Sequence, residues 1–192
     1  MPYDSAATRA RLLDAAFSEF SERGLAGARV DRVAAAASAN KQAIYAYFGS
    51  KEALFDAVLE TRLRVLADAV PFTPDDLPSY AGALFDALQQ TPELVRLSQW
   101  RWLERGDASP GEVASHRDKA RELAGAMAGA VSESRAMDIL QLVVALCTTW
   151  CTTSPGLRAI GGLAPAARTR SHRAAVVTAV RAVVTSLSGL GD

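Results

Sequence analysis

Residues 24–55, GLAGARVDRVAAAASANKQAIYAYFGSKEALF, constrain the fold more tightly than any other segment: two short helices separated by a polar break lead into a longer third. Val30, Val33, Ala34 and Ala37 recur at spacings of three and four, which turns them together toward a core. Ser38-Ala39-Asn40 interrupts that helix. Asn40 is a good N-cap for the next, because its side-chain oxygen can accept from the orphan N–H groups that open a helix. A helix spanning only 41–48 cannot stand alone and must be held by neighbours. Ile44 and Phe48 share its inner face, which leaves Lys41, Gln42, Ala43, Tyr45 and Tyr47 to point outward in varying degrees. Such a face suits the major groove: Gln42 can pair with adenine, Ala43 can meet a thymine methyl, and Lys41 and the tyrosines can hold phosphates. Lys51 follows in the first turn of the third helix, capped by Ser50. A cation there opposes the helix dipole unless an anion lies beside it, and a DNA phosphate is such an anion. The pattern is a helix-turn-helix, and it predicts double-stranded DNA as a partner.

The run TRARLLDAAFSEFSERG at 8–24, the YAYFGSKEALF at 45–55 and the spacing between them resemble the tetracycline-repressor (TetR) family of regulators. The resemblance covers about the first third of the chain. It implies that Lys41, Gln42, Ala43 and Tyr45 face bases and nearby backbone, with Tyr45, Tyr47 and Lys51 on phosphates and Thr8 or Arg9 clamping the flanking strand. The chain departs from the family at three positions. Arg29 stands where a hydroxyl usually caps the second helix, so either that cap is lost or Arg29 supplies the phosphate contact itself. Ser38 replaces the turn glycine and must strain into a left-handed conformation or use another turn. Ala46 replaces a histidine, which removes a backbone contact made in relatives.

Net charge is zero over 192 residues, so DNA affinity must come from local asymmetry. Within 29–51 that asymmetry is Arg29, Arg32, Lys41 and Lys51 against Asp31. With 49% hydrophobic and 22% charged residues the chain is expected to fold around a real core, and no apolar run reaches the length of a membrane span. A cytoplasmic location is expected. Cys147 and Cys151 lie one helical turn apart with no histidine company, which fits core packing better than a metal site, a redox pair or a ligand-lining role. His116 and His172 are isolated and no glycine-rich phosphate loop is present, so no enzyme, metal or cofactor is expected.

Beyond the first three helices the periodicity predicts helices over 51–69, 75–90, 92–104, 112–131, 135–153 and 166–188, with the first helix over 5–23. The expected architecture is all-α: a three-helix DNA-binding domain at 1–50, then an effector-binding and dimerisation domain at 51–192. Residues 135–153 and 166–188 are apolar on broad faces, and no Asp or Glu occurs from Ile139 to Gly191. A small domain cannot bury two such helices by itself. They are therefore expected to pack on their copies in a homodimer, an arrangement the resemblance also implies, and a two-fold dimer reads two half-sites of a near-palindrome.

The segment LVRLSQWRWLER at 94–105 is unusually aromatic. Leu97, Trp100, Glu104, Cys147 and Trp150 form the candidate effector set, and indoles beside a carboxylate favour a flat lipophilic cation. The plainer alternative is that the tryptophans fill the core and Glu104 pairs with Arg101 or Arg105. The expected function is a dimeric repressor that a small molecule releases from its operator; the alternatives are an enzyme of unknown reaction and a constitutive DNA-binding protein.

Overall fold

The computed structural model describes residues 5–128 and 130–189. Among these it is helical, with no strand. Ten α-helices follow one another: α1 Ser5–Gly27, α2 Val30–Ala36, α3 Lys41–Phe48, α4 Lys51–Ala69, α5 Leu77–Gln90, α6 Pro92–Arg105, α7 Pro110–Ala126, α8 Glu133–Thr152, α9 Pro155–Arg158 and α10 Pro165–Ser188. A 3-10 turn, Pro74–Asp76, precedes α5. The helix expected over 112–131 stops earlier, because Ala128 takes a left-handed φ of 52° and the Ala130 N–H closes a turn onto Met127 O at 2.9 Å.

By packing, the chain forms two compact units. The first comprises residues 1–65 and 93–109, the second 66–92 and 110–192. The division thus falls inside α4 rather than at 50/51, and α6 packs with the helix-turn-helix although the sequence placed it in the second domain.

In the first unit Leu12, Ala16, Phe20, Val33, Ile44, Leu54, Phe55, Val58 and Leu97 are fully buried. Phe20 meets Phe55 edge to face at 5.0 Å between centroids, a geometry that aligns ring edge with ring face. The second unit packs α5 and α10 together and brings α8 against α5, α7 and α10. Its centre contains Leu77, Ala81, Phe85, Leu123, Ile139, Val143, Cys147 and Val180. Burial of Cys147 pushes its thiol up to about 12, so it stays protonated, with Sγ 3.4 Å from Ala81 O. Val176 and Val180 are covered by their own chain, so part of the apolar face of 166–188 that was expected to pack on a partner is buried within this unit.

The candidate nucleic-acid interface

The break between α2 and α3 is a left-handed C-terminal cap. Ser38 has φ 51°, its N–H reaches Ala35 O at 3.1 Å, and the Ala39 N–H reaches Ala34 O at 2.9 Å. Both bonds satisfy carbonyls that the end of α2 would otherwise leave unmet. A third constraint comes from α1, whose Arg11 Nε donates to Ala37 O at 3.2 Å. Of the two conformations open to Ser38, the chain adopts the strained one. Asn40 then caps α3, accepting from the Ala43 N–H at 2.8 Å, and Ser50 caps α4 by accepting from Ala53 N–H at 3.0 Å.

On α3, Lys41, Gln42, Tyr45 and Ala46 are exposed and Tyr47 is half-buried. Ala43 is not outward: it is buried beside Ile44, so its methyl cannot meet a thymine, and Ala46 holds the only outward methyl of the helix. The inner stripe of α3 is wider than the Ile44 and Phe48 spacing suggests. Thr8 is also withdrawn, buried with its hydroxyl accepting from Arg11 Nη2 at 3.1 Å. Arg9 remains outside, its guanidinium 5.2 Å from the Phe48 ring centroid.

A concavity of about 410 Å³ lies beside α3, lined by Ala28, Arg29, Val30, Asp31, Tyr45, Ser50, Lys51 and Glu52. Lys51 Nζ donates to Ala28 O at 3.3 Å, which pins the ammonium at this rim while leaving protons for another acceptor. The Arg29 side chain makes no capping bond and is exposed at the same rim. Lys41 is paired with exposed Asp31 at 3.1 Å, a contact worth little in water and easily opened.

Sequence reasoning missed Glu19. Its carboxylate accepts the Arg29 backbone N–H at 2.9 Å and Arg32 Nε at 2.8 Å, and Arg23 approaches to 3.5 Å. Burial works against its ionisation, but the bonds from Arg32 and Arg29 and the charges of Arg32 and Arg23 outweigh that, holding the carboxyl below the usual range. Glu19 thus organises the start of α2 where a hydroxyl cap is absent, and it removes Arg32 from the charge available to DNA. A carboxylate four residues before Arg23 was visible in sequence; its reach to Arg29 and Arg32 was not.

The five residues expected to line an effector pocket are divided between the two units. Leu97, Trp100 and Glu104 belong to the first unit, and Cys147 and Trp150 to the second. Leu97 is fully buried. Glu104 accepts from the backbone N–H groups of Leu25 at 2.6 Å and Ala26 at 3.3 Å, and Trp100 Nε1 donates to Ser21 O at 3.3 Å. The carboxylate that suggested a cationic effector is therefore already engaged, against the end of α1. Neither Arg101 nor Arg105 pairs with it; both approach Asp56, Arg101 at 2.6 Å and Arg105 at 3.7 Å.

Among the described residues no helix is long and apolar enough to cross a membrane. Two family models match the chain: the bacterial regulatory proteins of the tetR family over residues 12–58, and the tetracyclin repressor-like C-terminal domain over residues 76–182. The chain is 42% identical over 163 residues to the HTH-type transcriptional repressor SCO4008 of Streptomyces coelicolor, covering 82% of this chain and 84% of that one. A crystal structure of the regulator SCO4942 from the same organism superposes with a TM-score of 0.78 at 37% identity, over 91% of this chain and 97% of that chain. The fold is also that of an Acinetobacter baumannii TetR variant solved with minocycline, with a TM-score of 0.62 at 18% identity over 94% of this chain and 96% of the other.

Proposed function

The chain belongs to the TetR family of bacterial transcriptional regulators, and on that premise we propose that it is a repressor binding a near-palindromic operator as a homodimer and leaving it when a small molecule occupies residues within 51–192. The observation that carries the operator reading is the outward face of α3. Gln42 and Tyr45 stand exposed on it, flanked by Lys41, Arg29 and Lys51. Gln42 reads a base edge, Tyr45 and Tyr47 approach backbone, and Arg29, Lys51 and Arg9 hold phosphates. DNA draws Lys41 away from Asp31 at small cost, because that pair is exposed.

Dimerisation is assigned to the outer faces of α8 and α10, within 135–153 and 166–188. Leu142, Val144 and Ala145 on α8, and Ala174, Thr178 and Ala182 on α10, are exposed in the single chain. Ala145, Ala174, Thr178 and Ala182 are small enough to let two helices approach closely, with Leu142 and Val144 supplying apolar surface, and one recognition helix alone contacts too few base pairs for a selective operator.

Effector control requires two arrangements of the DNA-reading heads and a ligand with different affinity for each. Glu104, Trp100 and Arg101 join α6 to α1 and α4 inside the first unit, and the chain enters that unit at Glu93 and leaves it at Ser109. A displacement of α6 therefore acts on the head directly, alongside any movement of α4. The effector is a lipophilic small molecule; with Glu104 engaged, nothing in the proposed set asks for a cation.

The test compares Gln42→Ala with Lys51→Ala on a randomised operator pool. The first should change which sequences are retained. The second should weaken all of them alike and reduce the log–log salt slope by about one. Unchanged preference in Gln42→Ala would remove the base-reading role.

A further inference from the structure

In the second unit the indole of Trp150 gathers more positive charge than its surroundings neutralise. Trp150 is buried near the end of α8. The guanidinium carbons of Arg158 and Arg168 lie 5.5 Å and 5.2 Å from its ring centroid, and the His172 imidazole lies 4.7 Å away at an interplanar angle of 31°. Phe85 closes the group, 5.9 Å from His172. Three cationic or basic groups thus share one ring, on a stretch of chain that has no Asp or Glu from Ile139 to Gly191. The carboxylate that α5 offers nearby, Asp86, is held by Arg173, whose Nε stands 2.8 Å from both of its oxygens. Among the described residues neither Arg158 nor Arg168 forms an ion pair.

A guanidinium held over an indole by cation–π attraction makes no hydrogen bond to the ring and keeps its N–H donors for an acceptor. The buried Nε of Arg158 has no hydrogen-bond partner, and neither has the buried Nε2 of His172. Two orphaned polar atoms beside the same ring are costly unless something accepts from them. A cation would meet repulsion from both guanidinium groups here; an anion would relieve repulsion and satisfy both nitrogens.

We propose that Arg158, Arg168 and His172, gathered on Trp150, form a binding site for a small lipophilic carboxylate, whose oxygens accept from Arg158 Nε and His172 Nε2. The proposal rests on reading the second unit as the effector-binding part, and it assigns the effector a negative charge. His172, which burial and the neighbouring Arg168 hold below its ordinary value, takes up a proton when the carboxylate enters.

Calorimetry on the full chain tests this with benzoate, salicylate and 1-naphthoate, each against its own amide. At least one carboxylate should bind more than about tenfold tighter than the matching amide, the size of effect expected for a charge-assisted pair of bonds. Arg158→Gln and His172→Phe should each remove most of that preference while leaving thermal unfolding and ligand-free operator affinity in place. Repeating the titration in buffers of different ionisation enthalpy should show net proton uptake at pH 7. If no carboxylate exceeds its amide, or if the preference survives both substitutions, the site is wrong. Carboxylate binding that leaves operator affinity unchanged would keep the site and remove the effector reading; operator release by neutral or cationic compounds, with no carboxylate bound, would do the reverse.

Discussion

The carboxylate of Glu104 accepts the backbone N–H of Leu25 at 2.6 Å, joining residues 79 positions apart in sequence and fixing α6 to the end of α1. The contact is possible because Gly24 breaks α1 with φ 68° and ψ −176°, turning successive N–H groups outward. A side chain at Gly24 would also collide: its Cβ would lie 2.6 Å from Glu104 Oε1 and 2.9 Å from the Trp100 ring. One glycine therefore serves both the turn and the approach of α6.

Gly24→Ala should destabilise the protein by about 1–3 kcal/mol from backbone strain alone, with the collision adding to it. Gly27→Ala is the matched control, since its Cβ meets nothing nearer than Arg23 Cβ at 3.5 Å. Equilibrium denaturation of the two variants should separate them clearly, and equal stability would show that the α1 break is not needed.

Glu104→Gln should leave the fold intact and weaken the attachment of α6 to α1. The expected outcome is an unchanged ligand affinity with a smaller effect of ligand on operator binding, read by titrating operator DNA with and without effector. Full coupling in this variant would place the signal path elsewhere.

Glu19→Gln should cost about 1.5–3 kcal/mol, the range for hydrogen bonds made to a charged group. Because the folded-state pKa of Glu19 is depressed, its contribution is fully present above the unfolded value near 4.5 and is lost as pH falls through the folded value. The stability gap between wild type and variant should therefore shrink below pH 4.5. A gap that stays constant down to pH 3 would contradict the role given to Glu19.

Leu142→Glu tests the dimer better than a change at Val180. Leu142 is 43% exposed and Val180 is fully buried, so Val180→Asp would unfold the chain whether or not a partner exists. Leu142→Glu should give folded monomers in sedimentation, with operator affinity lost. An unperturbed dimer would move the interface away from this face of α8.

The helix-turn-helix was legible because its signals are local. Asn40 and Ser50 cap the helices they precede, and of the two turns open to Ser38 the left-handed one is adopted, with a positive φ. Ala43 was misplaced because a helix of eight residues gives too few turns for two apolar anchors to define the width of its inner face. Val176 and Val180 show a different limit: periodicity reports that a face is buried, and not whether its own chain or a partner buries it. Glu104 and Glu19 act on backbone N–H groups, and a bare N–H carries no sequence signature, so neither contact could be read from residue types. Trp150 was placed in the effector set from its position on an apolar helix, but the arginines around it come from α9 and α10, and their convergence is the ground for proposing an anionic ligand in place of the cation expected from sequence.

In the proposed function two copies of α3 read one operator. Sequencing the DNA fragments retained by the purified protein, together with the mass of the complex on the best of them, tests it most directly. The expected result is a near-palindrome whose half-sites lie about one helical turn apart, or a multiple of it, with an even number of chains per site. A single asymmetric motif bound by one chain, or retention with no sequence preference, would contradict it.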